Sequence, residues 1–240
     1  MNDHRPAGPG ASPKRRTPQQ RKERFVKERP PDPTRVDAPW RLFLAIPAPE
    51  PVRERIARHV ERLAPRNWPV RWTDPAQAHL TLHFIGEVEA ARAELLRIAL
   101  PGIVSRHPAF ALTTGKVGLF PNDRKPRVIW LGLEGEIAPL QGLHRDIGAM
   151  LARYEFPLEE RALTPHLTLG RLRDQPAAAA VMEVSTTIRG WQPGEPLRFP
   201  IDEVVLYRSH LTKDGARYEE ISRGRLAPPA QAQATTEAPE

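Results

Sequence analysis

The chain has 240 residues, 40% of them hydrophobic and 27% charged, and it contains no cysteine. That length can bury a sizeable core; the missing cysteines remove disulfides, thiolate zinc sites and cysteine nucleophiles and point to a reducing, cytoplasmic setting. The formal net charge of +7 is lopsided, because residues 1–38 hold ten Lys/Arg against five Asp/Glu while residues 39–240 hold 26 against 24.

The leader, residues 1–38, is rich in Pro, Arg and Lys, with Phe25 and Val26 almost its only apolar side chains. Such a segment cannot offset its ordering entropy by burial and is expected to be disordered. It reads either as a polyelectrolyte arm for RNA phosphates or as a plain solvated tail. It shows no apolar stretch of a secretory signal. No run of about 18 apolar residues occurs anywhere, so no membrane span is expected.

From Trp40 the pattern changes. Arg41–Pro47 is a short apolar run that predicts a buried strand. Val52, Ile56, Val60 and Leu63 then recur at helical spacing. A short strand at Val70-Arg71-Trp72 and a turn at Asp74-Pro75 lead into a strand over His79–Ile85, ended by Gly86. Ala90–Val104 predicts a helix whose apolar side is Leu95, Leu96, Ile98 and Ala99. Strands follow at Phe110–Val117 and Val128–Leu133, separated by the basic loop Pro121–Pro126. Ile137–Tyr154 predicts a helix with Leu140, Leu143, Ile147, Met150 and Leu151 on one face. Thr164–Arg171 reads as a strand and Ala177–Val184 as a short helix. Two late strands, Ile201–Tyr207 and Arg217–Ile221, flank a turn at Lys213-Asp214-Gly215. Residues 227–240 lack periodicity and read as a disordered tail.

His-Leu-Thr-Leu occurs twice, at His79–Leu82 and at His166–Leu169, 87 residues apart. The spacing is too long for a solenoid repeat. It suits an α+β domain over 39–226, made of two pseudo-symmetric lobes. Each lobe would be an antiparallel-rich sheet with outer helices, and a central cleft would lie between them. On a strand His79 and Thr81 point one way and Leu80 and Leu82 the other, as do His166 and Thr168 against Leu167 and Leu169. The leucines would anchor each lobe's core, leaving two imidazoles and two hydroxyls facing a shared cleft. Two imidazoles flanking one phosphorus can act as general base and general acid, and threonine hydroxyls can donate to phosphate oxygens.

In these motifs the chain resembles the 2H phosphoesterase superfamily, specifically its RNA 2′,3′-cyclic phosphodiesterases, once called 2′-5′ RNA ligases. The resemblance covers about residues 40–225. It rests on Arg41-Leu-Phe-Leu-Ala-Ile, Val70-Arg-Trp, His79-Leu-Thr-Leu-His-Phe-Ile-Gly-Glu-Val, Pro126-Arg-Val-Ile-Trp-Leu-Gly-Leu, Thr164-Pro-His-Leu-Thr-Leu-Gly-Arg and Glu203-Val-Val-Leu-Tyr-Arg-Ser. It implies hydrolysis of a terminal 2′,3′-cyclic phosphate to a 2′-phosphate, with His79 as proton donor and His166 as proton acceptor. It also implies an arginine near the phosphate at Arg171, although simple alternation turns Arg171 away from His166, so the strand must end or bend there. Only RNA forms such a ring, so the expected partner is RNA with a 2′,3′-cyclic phosphate terminus.

Other side chains have weaker readings. Phe43 or Phe84 could stack on the terminal base, with core packing as the alternative. Arg127, Arg124 and Lys125 could track the RNA backbone or be solvated, and Tyr207 reads as a half-buried strand tyrosine. His79 and His83 have the four-residue spacing of a helical zinc pair but lack the intervening Glu. The family resemblance implies that His83 is a replaceable surface residue, and the expectation is no metal, no cofactor and a monomer. Rival readings are a related enzyme acting on another cyclic phosphate, one ligating RNA 2′-5′, or a non-catalytic RNA-end binding module.

Overall fold

The computed structural model describes residues 39–158, 162–213 and 215–229. The basic leader, the residues of the tail after 229 and Asp214 of the expected turn lie outside the described residues. Nine strands and four helices are described. In chain order they are β1 (Trp40–Pro47), α1 (Glu50–Leu63), β2 (Val70–Trp72), β3 (His79–Val88), α2 (Ala90–Val104), β4 (Phe110–Phe120), β5 (Val128–Gly135), α3 (Ile137–Arg153), β6 (His166–Leu172), α4 (Ala178–Arg189), β7 (Arg198–Ile201), β8 (Glu203–Thr212) and β9 (Gly215–Arg225). No helix among the described residues is long and apolar enough to cross a membrane.

Two sheets form, with strand orders β3-β1-β8-β9 and β2-β6-β5-β4-β7, and every strand pairing is antiparallel. The α+β, two-sheet architecture expected from the duplicated motif is present. The sheets do not, however, divide the chain into halves. β2, from the first half, pairs with β6, and β8 and β9 return from the C-terminal end to the first sheet. Helices cross over as well. α1 follows β1 but lies against β6, and α3 follows β5 but reaches β3, whereas α2 packs on β9, β8 and β1 and α4 on β4. Each motif strand is therefore backed by a helix from the other half.

This interleaving explains why the core is one continuous buried cluster instead of one per lobe. Leu80, Leu82, Leu167 and Leu169 all belong to it, beside Ile56 and Leu63 of α1 and Leu140, Leu143, Ile147 and Leu151 of α3. Burying each such side chain contributes about 1.5–3 kcal/mol. The expected face of α3 is the buried one. For α2 the expectation needs correction. Ala93, Leu96, Leu100 and Val104 face inward, while Leu95 and Ile98 are 44% and 65% exposed. The three- and four-residue spacings of the buried set define one stripe, and neighbouring apolar residues fall outside it.

Gly86 does not end its strand. It has φ of +83° and pairs with Leu42, and β3 continues to Val88. The glycine accommodates a left-handed residue inside a bulged strand. At the other end, Ala227, counted with the tail by composition, bridges Pro108 and donates to the His107 carbonyl.

Candidate active site

β3 and β6 each begin with the histidine of the repeated tetrapeptide. Along the first seven residues the two strands bury and expose side chains in the same order. His and Thr are half-buried on one face, and both leucines enter the core. Regular alternation then breaks in both. Thr81 pairs with Ala45 and His83 with Leu44, leaving Leu82 as an extra residue; Thr168 pairs with Trp130 and Gly170 with Ile129, leaving Leu169 extra.

A bulge of one residue shifts every later side chain to the other face. Phe84 and Arg171, which plain alternation would send to the core side, are exposed and line the same cavity as the motif histidines. The bend that Arg171 required is this bulge. The same shift overturns the surface reading of His83, which is 5% exposed and lies behind the sheet. There His83 Nε2 donates to the His144 carbonyl at 2.9 Å, and the two rings stack at 4.1 Å. His79 and His83 thus occupy opposite faces, so their spacing is not a chelating pair.

The two motif imidazoles are oriented alike. His79 Nδ1 lies 2.8 Å from the Gln77 carbonyl oxygen, and His166 Nδ1 lies 2.7 Å from that of Thr164. A carbonyl only accepts, so Nδ1 carries the proton in each ring and Nε2 is the nitrogen left for chemistry. Both rings are held below the ordinary histidine pKa, chiefly by burial. The carbonyl bond opposes that shift in both, and the positive charge of Arg171 adds to it.

Each imidazole also meets an aromatic ring edge-on. Tyr218 of β9 lies 5.1 Å from His79 at 86°, and Phe120 of β4 lies 4.9 Å from His166 at 82°. Phe43 sits 5.0 Å from His79 and 4.9 Å from Tyr218, and it stacks on Tyr207 at 5.2 Å. At 2% exposure Phe43 is a platform beneath His79, whereas Phe84 is 42% exposed. Tyr207 is half-buried on that stack. Tyr218 carries no signal of its own in the sequence. Its strand was expected, but only the pairing of Ser209 with Tyr218 shows which face it takes.

These side chains surround a cavity of about 580 Å³, lined by His79, Thr81, His166, Thr168, Arg171 and Phe84 among others. Arg41, Arg71 and Tyr218 complete part of the wall. Of the loop residues considered for RNA, Arg127 is paired with Asp174 at 3.0 Å. The Arg124 and Lys125 amides are capped by Asn122. None of the three lines the cavity.

A family profile described as the 2′-5′ RNA ligase superfamily matches residues 48–213. Among curated relatives, the RNA 2′,3′-cyclic phosphodiesterase of Escherichia coli is 31% identical over 194 residues, covering 80% of this chain and 99% of its own. That of Thermotoga maritima is 29% identical over 179 residues, covering 75% and 91%. A crystal structure of Escherichia coli LigT complexed with 3′-AMP superimposes with a TM-score of 0.63 at 30% identity, over 78% of this chain and 98% of LigT.

Proposed function

The chain belongs to the 2′-5′ RNA ligase superfamily, and from that premise we propose that it hydrolyses RNA 2′,3′-cyclic phosphate ends to 2′-phosphates by two-histidine acid/base catalysis. The supporting observation is the pair of strands, each bulged at the residue after its threonine, which present His79 with Thr81 and His166 with Thr168 to one cavity.

In this scheme His166 Nε2 takes a proton from water as the water oxygen attacks phosphorus. The P–O3′ bond breaks in line, and the 3′ oxygen takes a proton from His79 Nε2. The resemblance of the two motifs to the family pattern supports that order of roles. Thr81 and Thr168 hydroxyls, with the Arg171 guanidinium, hold the non-bridging oxygens, where charge grows in the transition state. Phe84 offers its exposed ring to the terminal base.

His79 must be protonated to serve as donor although burial disfavours its charge. The bound phosphate anion supplies the compensating charge, so the donor is readied by the substrate it acts upon.

The test is an oligoribonucleotide ending in a 2′,3′-cyclic phosphate, incubated with excess EDTA. The expected product end is a 2′-phosphate, formed at an undiminished rate. A 3′-phosphate product, or loss of turnover in EDTA, would contradict the scheme.

A further inference from the structure

Arg71 of β2 and Arg171 of β6 are direct partners in the antiparallel pairing of these strands. Directly opposed residues share a face with Cβ atoms about 4.5–5.5 Å apart, and like charges so placed are destabilising. Both side chains are exposed into the cavity. Asp74, the acidic side chain of the cavity wall, is already engaged. Its Oδ1 accepts from the Ala76 amide and its Oδ2 from Gln77 Nε2. Among the described residues neither arginine takes part in an ion pair, in contrast to Arg127 with Asp174 nearby.

The close approach of the two strands is itself built in. A Cβ at Gly170 would lie 2.6 Å from Val70 Cγ1 and 2.9 Å from the Trp72 ring, so β2 can lie where it does because position 170 has no side chain. The fold thus sets two arginines at opposed positions of one cavity wall, neither paired with a carboxylate among the described residues, an arrangement suited to phosphate. In the proposed reaction Arg171 holds the reacting phosphate. Arg71 stands one strand further out, about 4.8 Å across the sheet, on the edge strand.

We infer that Arg71 binds the phosphate on the 5′ side of the terminal nucleotide, so that the site recognises the end of a polynucleotide in preference to a free nucleoside cyclic phosphate. The inference rests on the proposed function and adds a second phosphate subsite to it.

The experiment compares a dinucleotide ending in a 2′,3′-cyclic phosphate with a nucleoside 2′,3′-cyclic phosphate that lacks a 5′ phosphate. The readout is the ratio of their kcat/KM values. Arg71→Ala should lower that ratio about tenfold, through KM for the dinucleotide, and Arg71→Lys should lower it less. The log–log salt dependence for the dinucleotide should flatten by about one unit. Arg171→Ala should depress both substrates together. An unchanged ratio in Arg71→Ala, or equal losses on both substrates, would overturn the inference. If the wild-type protein turned over neither substrate, the proposed function would fail instead. The arginine is then judged by fluorescence anisotropy with a labelled dinucleotide ending in a 2′-phosphate. Equal affinity of wild type and Arg71→Ala would sink the subsite, and an affinity several-fold lower in the variant would support it. In phosphate-free buffer Arg71→Ala should melt no lower than wild type, since a like-charge pair is relieved; a lower melting temperature would contradict the uncompensated pairing.

Discussion

The two halves of the site share their motif, their bulge and the way their histidine is oriented, yet they sit in different surroundings. β3 is the edge of its sheet, and His83, the residue after its bulge, turns back onto α3 to bond and stack with His144. β6 has a further strand beyond it, and the equivalent Gly170 is bare because β2 crosses there. One residue later the first half shows Phe84 to the cavity and the second shows Arg171. The repeated motif supplied two strands with matching His/Thr faces. The neighbour behind each strand decides which half carries an apolar ring and which a positive charge.

The largest expected effect comes from the histidines themselves. His79→Ala and His166→Ala should each cost about 10²–10⁴ in rate on a cyclic-phosphate RNA end. The halves separate when the leaving oxygen no longer needs a proton. On bis-p-nitrophenyl phosphate, His79→Ala should retain most of the wild-type rate and His166→Ala should not. Equal losses on that ester would erase the distinction between a donor side and an acceptor side.

A smaller effect, read in stability, separates the surroundings. Gly170→Ala should destabilise by about 1–3 kcal/mol, because the added methyl overlaps Val70 and Trp72. His83→Ala should cost about 1 kcal/mol through the lost bond to His144. Gly148 stands opposite His83, so that change opens space and forces no clash. Urea titrations of the two variants check the order; a milder Gly170→Ala would mean that β2 is not held against β6 as described.

The smallest effect is a shift in pH profile. Burial and Arg171 hold both imidazoles below their ordinary range in the free protein. The bell in log kcat/KM, which reports free-enzyme groups, should therefore centre below the ordinary histidine value of about 6.5. Arg171→Gln removes a positive neighbour, so both pKa values should rise and the bell should move toward alkaline pH. A shift in the acid direction, or a flat profile between pH 5 and 9, would be inconsistent with paired histidines beside that arginine.

Much of this was legible before any coordinates. The strand and helix order apart from β7, which the expected strand at Ile201–Tyr207 did not separate from β8, the face of α3, the leucines that enter the core and the His/Thr pairs that face a cleft all follow from local periodicity, because alternation and helical spacing are properties of neighbouring residues. Arg171 is the instructive intermediate case. The family resemblance set it beside His166 against its strand parity, which called for a bend, and the bulge at Leu169 turns it to the cavity. The inward turn of His83, the exposure of Leu95 and Ile98, the crossing of β2 to the second sheet and the place of Tyr218 beside His79 were not legible. Each depends on which strand or helix lies alongside, and partners distant in sequence leave no mark on local period. The amino-acid order alone specified two equivalent His/Thr strands; packing against different neighbours is what made them unequal.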